Sequence, residues 1–418
     1  MIYIRSSLIF YCLTLYVFIV PTFENTVGSI GAIFVNGVLG VILLLHFLVQ
    51  HQKILFFVST VTPLKIIFFS LILLEFLIII SMSYGVFFGE VIPIFRDLYE
   101  LHKPILYALI VLYSFYVFAS SNLSIERVLL LIFIVISVLG LFQLFNFDQF
   151  SSLYTGLNVV ASNRLTVPFG NPYDCAFVLL FFIFYFFIRA VFQKSIFFFI
   201  LSFLASYLFV KTGSKSVALS FLVIFFIIMP FIFLKLKNVN KYKFFFLYLL
   251  LIGLFVINFD TFIKYNPSLT SQFIQLFESG SIGDSASVRL EQFMFAVEKS
   301  NNNFLTTLIG NGPSKLEMEH VESAYTYIYY RYGASGFLVY GFIYFYILLT
   351  LYKLIFKNSK ASINHQVFYV SSLLWFLAIP ASALGGMFIE QPKVSFFYYM
   401  VIGFILFKKH QNNLKNES

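Results

Sequence analysis

The chain is predicted to be an all-α polytopic membrane protein, and three observations carry that prediction. Of its 418 residues, 60% are hydrophobic and only 11% charged. The mean hydropathy is +0.92. A water-soluble fold of this composition would expose an untenable apolar surface, so lipid must be the solvent. The apolar runs are continuous rather than alternating, and open strands cannot satisfy their backbone in hydrocarbon, so the spanning elements are helices.

A span needs roughly 17 to 25 mostly apolar residues, and about twelve segments can be drawn on that rule. They cover 6–20, 28–49, 66–84, 104–121, 128–147, 173–192, 195–210, 217–234, 244–259, 333–352, 366–385 and 394–407. Arg5 and the apolar run after it lack a small-residue cleavage site before Pro21, so the first segment is expected to be a retained span. Cys12 and Cys175 fall in or beside apolar segments, where they read as small hydrophobes and not as a disulfide or metal pair.

Orientation follows from the basic residues. With both termini cytoplasmic, the inner side collects 16 of the 27 Lys and Arg, among them Lys53, Arg127, Arg189, Lys235, Lys353 and Lys408. Five of the outer cations lie on one long loop, where charge has little influence on topology. The net charge of +9 is largely this inward bias, and no nucleic acid partner is implied.

The long loop, 260–331 between the ninth and tenth segments, is the main polar stretch of a chain otherwise read as a single membrane domain, 1–418. It is expected to face the periplasm or exterior. Residues 286–299 mix Val288, Phe293 and Val297 with Arg289, Glu291 and Glu298, a pattern that predicts a surface helix. GNGP at 310–313 predicts a turn. The Tyr-rich stretch through Tyr325, Tyr327, Tyr329, Tyr330 and Tyr332 predicts an interfacial belt on re-entry to the membrane.

Several outer-facing cations stand out. Arg96 and Lys103 flank the fourth segment, Arg164 lies in NRLTVPFGNPYD, Lys211 and Lys215 in KTGSKS, and Arg289 and Arg331 in the long loop. Each alone can be a solvated or snorkelling end residue. Gathered at one membrane face, they can clamp a pyrophosphate, which Arg reads bidentately and Lys as a point charge. Glu75 lies inside the third segment, where an ionised group is expensive; pairing with a neighbouring helix is one way to hold it, and no role is assigned to it. Asp284 and Glu291 read as solvated loop charges, and Trp375, Gly385 and Gly386 as packing and loop features.

Arg164 with Asn171-Pro172, TGSKS at 212–216, SVRLEQF at 287–293, GNGP at 310–313 and HVES at 320–323 leading to Gly333 and Gly336 occur in that order across 160–340. In order and topology the chain resembles the O-antigen polymerase and ligase superfamily, which comprises Wzy-type polymerases and WaaL-type ligases. The resemblance implies a GT-C-like membrane glycosyltransferase of the bacterial inner membrane. Its substrate would be an undecaprenyl-pyrophosphate-linked oligosaccharide at the outer face, and a flippase and a chain-length regulator would be partners. It implies no cofactor and no metal.

A polymerase would move the growing glycan from its carrier onto a new lipid-linked repeat. That chemistry asks for cations to stabilise the leaving pyrophosphate and a base for the attacking hydroxyl. On the resemblance, Arg164, Lys211, Lys215, Arg289 and Arg331 are the pyrophosphate-binding candidates, and Arg289, Glu322 and His320 the catalytic ones. Lys215 stands where many relatives place Arg, and Val321-Glu322 follows His320 where ligases place Asn. The second departure favours polymerase over a ligase that would transfer glycan to a lipid A-core acceptor. A transporter or flippase of the same lipids is the alternative of a different class, although paired halves and matching broken spans are not evident.

Overall fold

The computed structural model describes residues 6–20, 29–88, 92, 94–146, 164–236, 240–257, 284–318, 321–357 and 362–417. It is 87% helical, and no strand occurs among the described residues. Among the described residues, eight helices are long and apolar enough to cross a membrane, and two shorter apolar helices, Ser6–Ile19 and Ile196–Thr212, accompany them. The all-helical polytopic class is therefore established.

In chain order the membrane body begins with α1 (Ser6–Ile19), α2 (Ser29–Thr60) and α3 (Thr62–Phe88). The inner loop expected after residue 49 is helical instead. The first helix of this pair runs on through a kink at Gln50 (φ −110°, ψ 15°) until only Val61 separates it from the next. The short α4 (Phe95–Leu101), then α5 (Lys103–Ser120) and α6 (Ile125–Phe145), follow.

The centre of the body is α7 (Pro172–Gln193), whose 22 residues are buried along nearly their whole length. Asn171 caps it, its side chain accepting from Tyr173 N at 3.0 Å, and Pro172 occupies the first turn, where its missing N–H costs nothing. Around α7 pack α8 (Ile196–Thr212) and α9, Lys215–Lys235 with a π-helical turn at Ile224–Ile228. They are followed by α10 (Lys241–Ile257). Trp375 is fully buried and donates to Phe177 O at 2.8 Å, the packing role expected of it.

The polar stretch folds as α11 (Asp284–Asn301), a short α12 (Phe304–Ile309) and the GNGP turn. The membrane body resumes in α13 (Ala324–Phe356), α14 (Ile363–Ser382) and α15 (Pro392–Glu417). The long re-entry helix starts at Ala324, nine positions before the expected boundary at 333, and is broken at Gly333 (φ 59°, ψ −157°). Three members of the expected Tyr belt are buried, while Tyr325 and Tyr329 are half-buried. Tyr330 and Tyr332 are fully buried and Tyr327 nearly so, because their hydroxyls and rings serve partners inside the protein.

The break and the turn explain each other. In an unbroken helix the carbonyls of Tyr330 and Arg331 would accept from the next turn; here they accept from Asn311 N at 2.8 Å and Gly312 N at 3.0 Å. This crossing is so close that a Cβ at Gly310 would lie 2.3 Å from the Arg331 carbonyl, and one at Gly333 would lie 2.6 Å from Gly310 N. Both glycines also have positive φ.

A buried charge network fixes the same region. Glu100 receives Lys103 Nζ at 2.8 Å, Lys315 Nζ at 2.7 Å and Tyr327 OH at 2.7 Å, with Arg331 Nη1 at 3.4 Å. Glu390 takes Lys103 Nζ at 2.9 Å and the hydroxyls of Tyr327 and Tyr340. Burial lowers the pKa of Lys315, and the charge of Glu100 opposes that shift. Glu75 in α3 is also buried, and its Oε2 has no hydrogen-bond partner among the described residues.

Gly333→Ala and Gly310→Ala should each destabilise by more than about 2 kcal/mol, from strained backbone together with the clash. Glu100→Gln, which leaves three buried cations against one carboxylate, should cost about 3 to 5 kcal/mol. Thermal unfolding of the detergent-purified variants, followed by loss of the monodisperse peak, measures both effects. Near-wild-type melting would contradict them.

Candidate functional site

The site is built from the turn between α8 and α9. Thr212 closes α8, its hydroxyl donating to Phe209 O at 2.6 Å, and Gly213 follows in the left-handed conformation (φ 60°). Glycine reverses the chain there at no steric cost, so that α9 begins at Lys215. The hydroxyls of Ser214 and Ser216, on either side of Lys215, are buried and lack a hydrogen-bond partner among the described residues. Against Ser216 sits Gly385, where a Cβ would fall 1.9 Å from the Ser216 Oγ.

Arg164 holds this turn. Its Nε donates to Thr212 O and its Nη2 to Gly213 O, both at 2.8 Å, while its guanidinium lies 5.4 Å from the centre of the Tyr173 ring. Gln143 in turn fastens the Arg164 segment, donating to Arg164 O at 3.0 Å and accepting from Thr166 N at 3.1 Å. The carbonyl of Lys211 accepts from Leu165 N at 2.8 Å, and its ammonium lies 5.5 Å from the Tyr207 ring centre.

The third contribution comes from α11. Arg289 Nη2 lies 3.2 Å from Glu322 Oε2, and the backbone N–H of Glu322 donates to Gln292 Oε1 at 3.0 Å. Arg289 Nε is buried without a hydrogen-bond partner among the described residues. The charges of Arg164 and Arg289 both act on Lys215 through space, so the three cations share one neighbourhood although they come from three separate segments. Like charges left together, beside unpartnered donors at a helix N-terminus, are an arrangement suited to an anion.

Magnitudes separate this pair from the buried network. The Arg289 and Glu322 side chains are 22% and 45% exposed. An exposed pair of this kind is worth about 0 to 1 kcal/mol, so an incoming phosphate can take Arg289 at little cost. Beside Arg289 opens a cavity of about 860 Å³ walled by Phe293, Tyr325, Tyr329, Phe337 and Leu384. Leu384, at its edge, is the sequence neighbour of Gly385, which packs against Ser216.

The structure therefore brings Arg164, Lys215, Arg289 and Glu322 into one region. Arg331 and Lys103 are elsewhere: both are buried, engaged with Glu100, and Arg331 also stacks 4.0 Å over the Tyr327 ring. They read as outer cations in the sequence, but acids brought by other segments neutralise them. His320 lies outside the described residues, as do residues 258–283 of the long loop and the side chains of Arg96 and Asp284. Sequence reasoning missed Glu100 and Glu390; the available signal was acids at the very edge of apolar segments, where a lone charge is expensive. Gly385, expected as a packing and loop feature, packs against Ser216.

Pyrophosphate titrated into the purified protein should bind, and Lys215→Gln should weaken that binding about tenfold, as expected for removal of one charge-assisted partner. Ser214→Ala should weaken it less. Equal affinity in wild type and Lys215→Gln, measured calorimetrically, would remove the turn from consideration as an anion site. No protein-family model matches the chain, and no curated protein matches it.

Proposed function

We propose that the chain is a membrane polysaccharide polymerase. It transfers a growing glycan from undecaprenyl pyrophosphate to a new lipid-linked repeat at the outer face of the bacterial inner membrane. The observation that carries this reading is the convergence of Lys215, Arg164 and Arg289 near a turn with two unpartnered hydroxyls, with an apolar cavity opening beside Arg289. A phosphate with an isoprenoid tail matches both halves of that site. The twelve segments, including the short ones, are taken as spans, with the α11 and α12 region outside and both termini inside, in line with the distribution of Lys and Arg.

In this reading an acceptor hydroxyl attacks the anomeric carbon of the carrier-linked chain. The new glycosidic C–O bond forms as the bond from that carbon to the pyrophosphate oxygen breaks, and the electron pair leaves with the pyrophosphate. Lys215 and Arg289 stabilise the charge that develops on it, and Arg164 supports them by holding the turn and adding its own field. Glu322, already beside Arg289, accepts the hydroxyl proton. Pyrophosphate binding would release Glu322 from Arg289 and free the carboxylate for that role. Lipid-linked repeats would arrive through a flippase, and a chain-length regulator would act on the product.

Arg289→Ala should abolish long chains while single repeats are still delivered and attached, with a rate loss on the order of 10² to 10³ for one transition-state donor. Gel analysis of extracted glycans, with the folded protein confirmed by blot and melting, reads this directly. Wild-type chain length in the variant would overturn the cation assignment. Absence of single repeats from the outer face in a deletion strain would instead identify a flippase.

A further inference from the structure

A second cavity, of about 1010 Å³, lies between α1, α2 and the junction of α5 with α6. It is at the end of the body away from the anion site. Arg189, near the C-terminus of α7, reaches Glu126 at the start of α6 at 2.7 Å, whereas Arg164 and Asn171 precede the opposite end of α7. The 22 residues between those ends span about 33 Å. The kink at Gln50 shapes one wall, where Gln50 Oε1 accepts from Tyr116 OH at 3.1 Å.

Its lining is cationic and polar on one side. Lys53 and Arg127 face it, with Ser6, Ser124 and Asn122, and no acidic residue among the described residues lines it. Glu126, the acid next to Arg127, is bound to Arg189. Ser124 caps α6 without a side-chain hydrogen bond; its carbonyl accepts from Arg127 N at 3.2 Å and Val128 N at 3.3 Å, which leaves the N–H groups of Ile125 and Glu126 at the start of the helix for an anion. His46 also lines the cavity, packed edge-on at 4.6 Å from the Tyr113 ring, and its Nε2 is buried without a hydrogen-bond partner among the described residues. The other side is apolar: Leu45 and Val49 complete the wall and are 57% and 75% exposed.

We infer that this cavity binds the phosphate of an anionic glycerophospholipid headgroup, held by Lys53 and Arg127 at the start of α6, with the acyl chains along Leu45 and Val49. The volume is at the upper end of what a ligand pocket needs. An anion without a tail would leave the Leu45–Val49 wall uncovered, and a neutral lipid would leave both cations unmatched, so an anionic lipid satisfies the whole lining. The inference is independent of the reaction proposed for the opposite face.

Native mass spectrometry of the full chain in detergent, titrated with phosphatidylglycerol or with phosphatidylcholine of the same chains, tests it. Lys53→Gln with Arg127→Gln should weaken phosphatidylglycerol retention about tenfold and leave phosphatidylcholine retention unchanged, given the attraction expected per basic residue near anionic lipid. Lys53→Gln alone, a change at an exposed residue that folding does not need, should give a smaller loss. Three results would overturn the inference. The first is wild-type phosphatidylglycerol affinity in both variants. The second is an equal loss in the control Lys353→Gln with Lys357→Gln. The third is displacement of phosphatidylglycerol by millimolar inorganic phosphate, which would assign the cavity to a soluble anion.

Discussion

The attachment of the polar α11–α12 segment to the membrane body depends on the buried ion network around Glu100 and Glu390. Burying Lys103, Lys315 and Arg331 without these carboxylates would cost several kcal/mol per ion, far more than the packing around them could offset. Paired, they join α4, α5, the segment after GNGP, α13 and the turn Phe388–Glu390 at one point. Asp97 adds to this junction, accepting from Ile94 N at 2.9 Å and Lys315 N at 3.0 Å. A network of this kind is poor evidence for extra stability, but it specifies one arrangement, since any shift of that polar segment strands a charge.

The broken helix serves the same end through the backbone. Breaking α13 at Gly333 exposes carbonyls that lipid cannot satisfy, and the GNGP turn docks there to supply the donors. Asn311 reinforces the joint by donating to Ser300 Oγ at 2.9 Å and to Tyr330 O at 3.2 Å, which ties α11 to the same point. A small core of Ala296, Met318 and Tyr330 closes beneath α11. Arg289 is therefore carried on a helix whose position is set by the network, the broken helix and this core, all of them away from its own charge.

Burial divides the cations into two groups with different physics. Lys103 and Arg331 are enclosed, matched and held. Lys215 and Arg289 are only partly enclosed, stand near another cation, and keep unpartnered donors beside them. A fold that merely tolerated the second group would spread its charges apart. Their convergence from three segments has an electrostatic cost, and on the function proposed above a bound pyrophosphate offsets it, which makes the α8–α9 turn, and not the long loop, the centre of the proposed site. The long loop contributes Arg289, Glu322 and one wall of the apolar cavity.

The sequence by itself determined the class of fold, because composition and uninterrupted apolar runs leave only helices in lipid. It also placed the helix over 284–301 within a few residues and the GNGP turn. At Arg164, TGSKS and Arg289 it marked the segments that meet, since glycine, Asn-Pro and isolated cations have local signatures. What only the tertiary structure decided is which cation meets which acid. Lys103, Arg331 and Lys215 look alike along the chain, yet Glu390, almost 290 residues beyond Lys103, neutralises the first, while nothing comparable among the described residues reaches Lys215. The Tyr belt became interior and the boundary at 333 moved to 324 for the same reason: pairing inside a bundle is set by contacts between distant segments, and local periodicity carries no record of them.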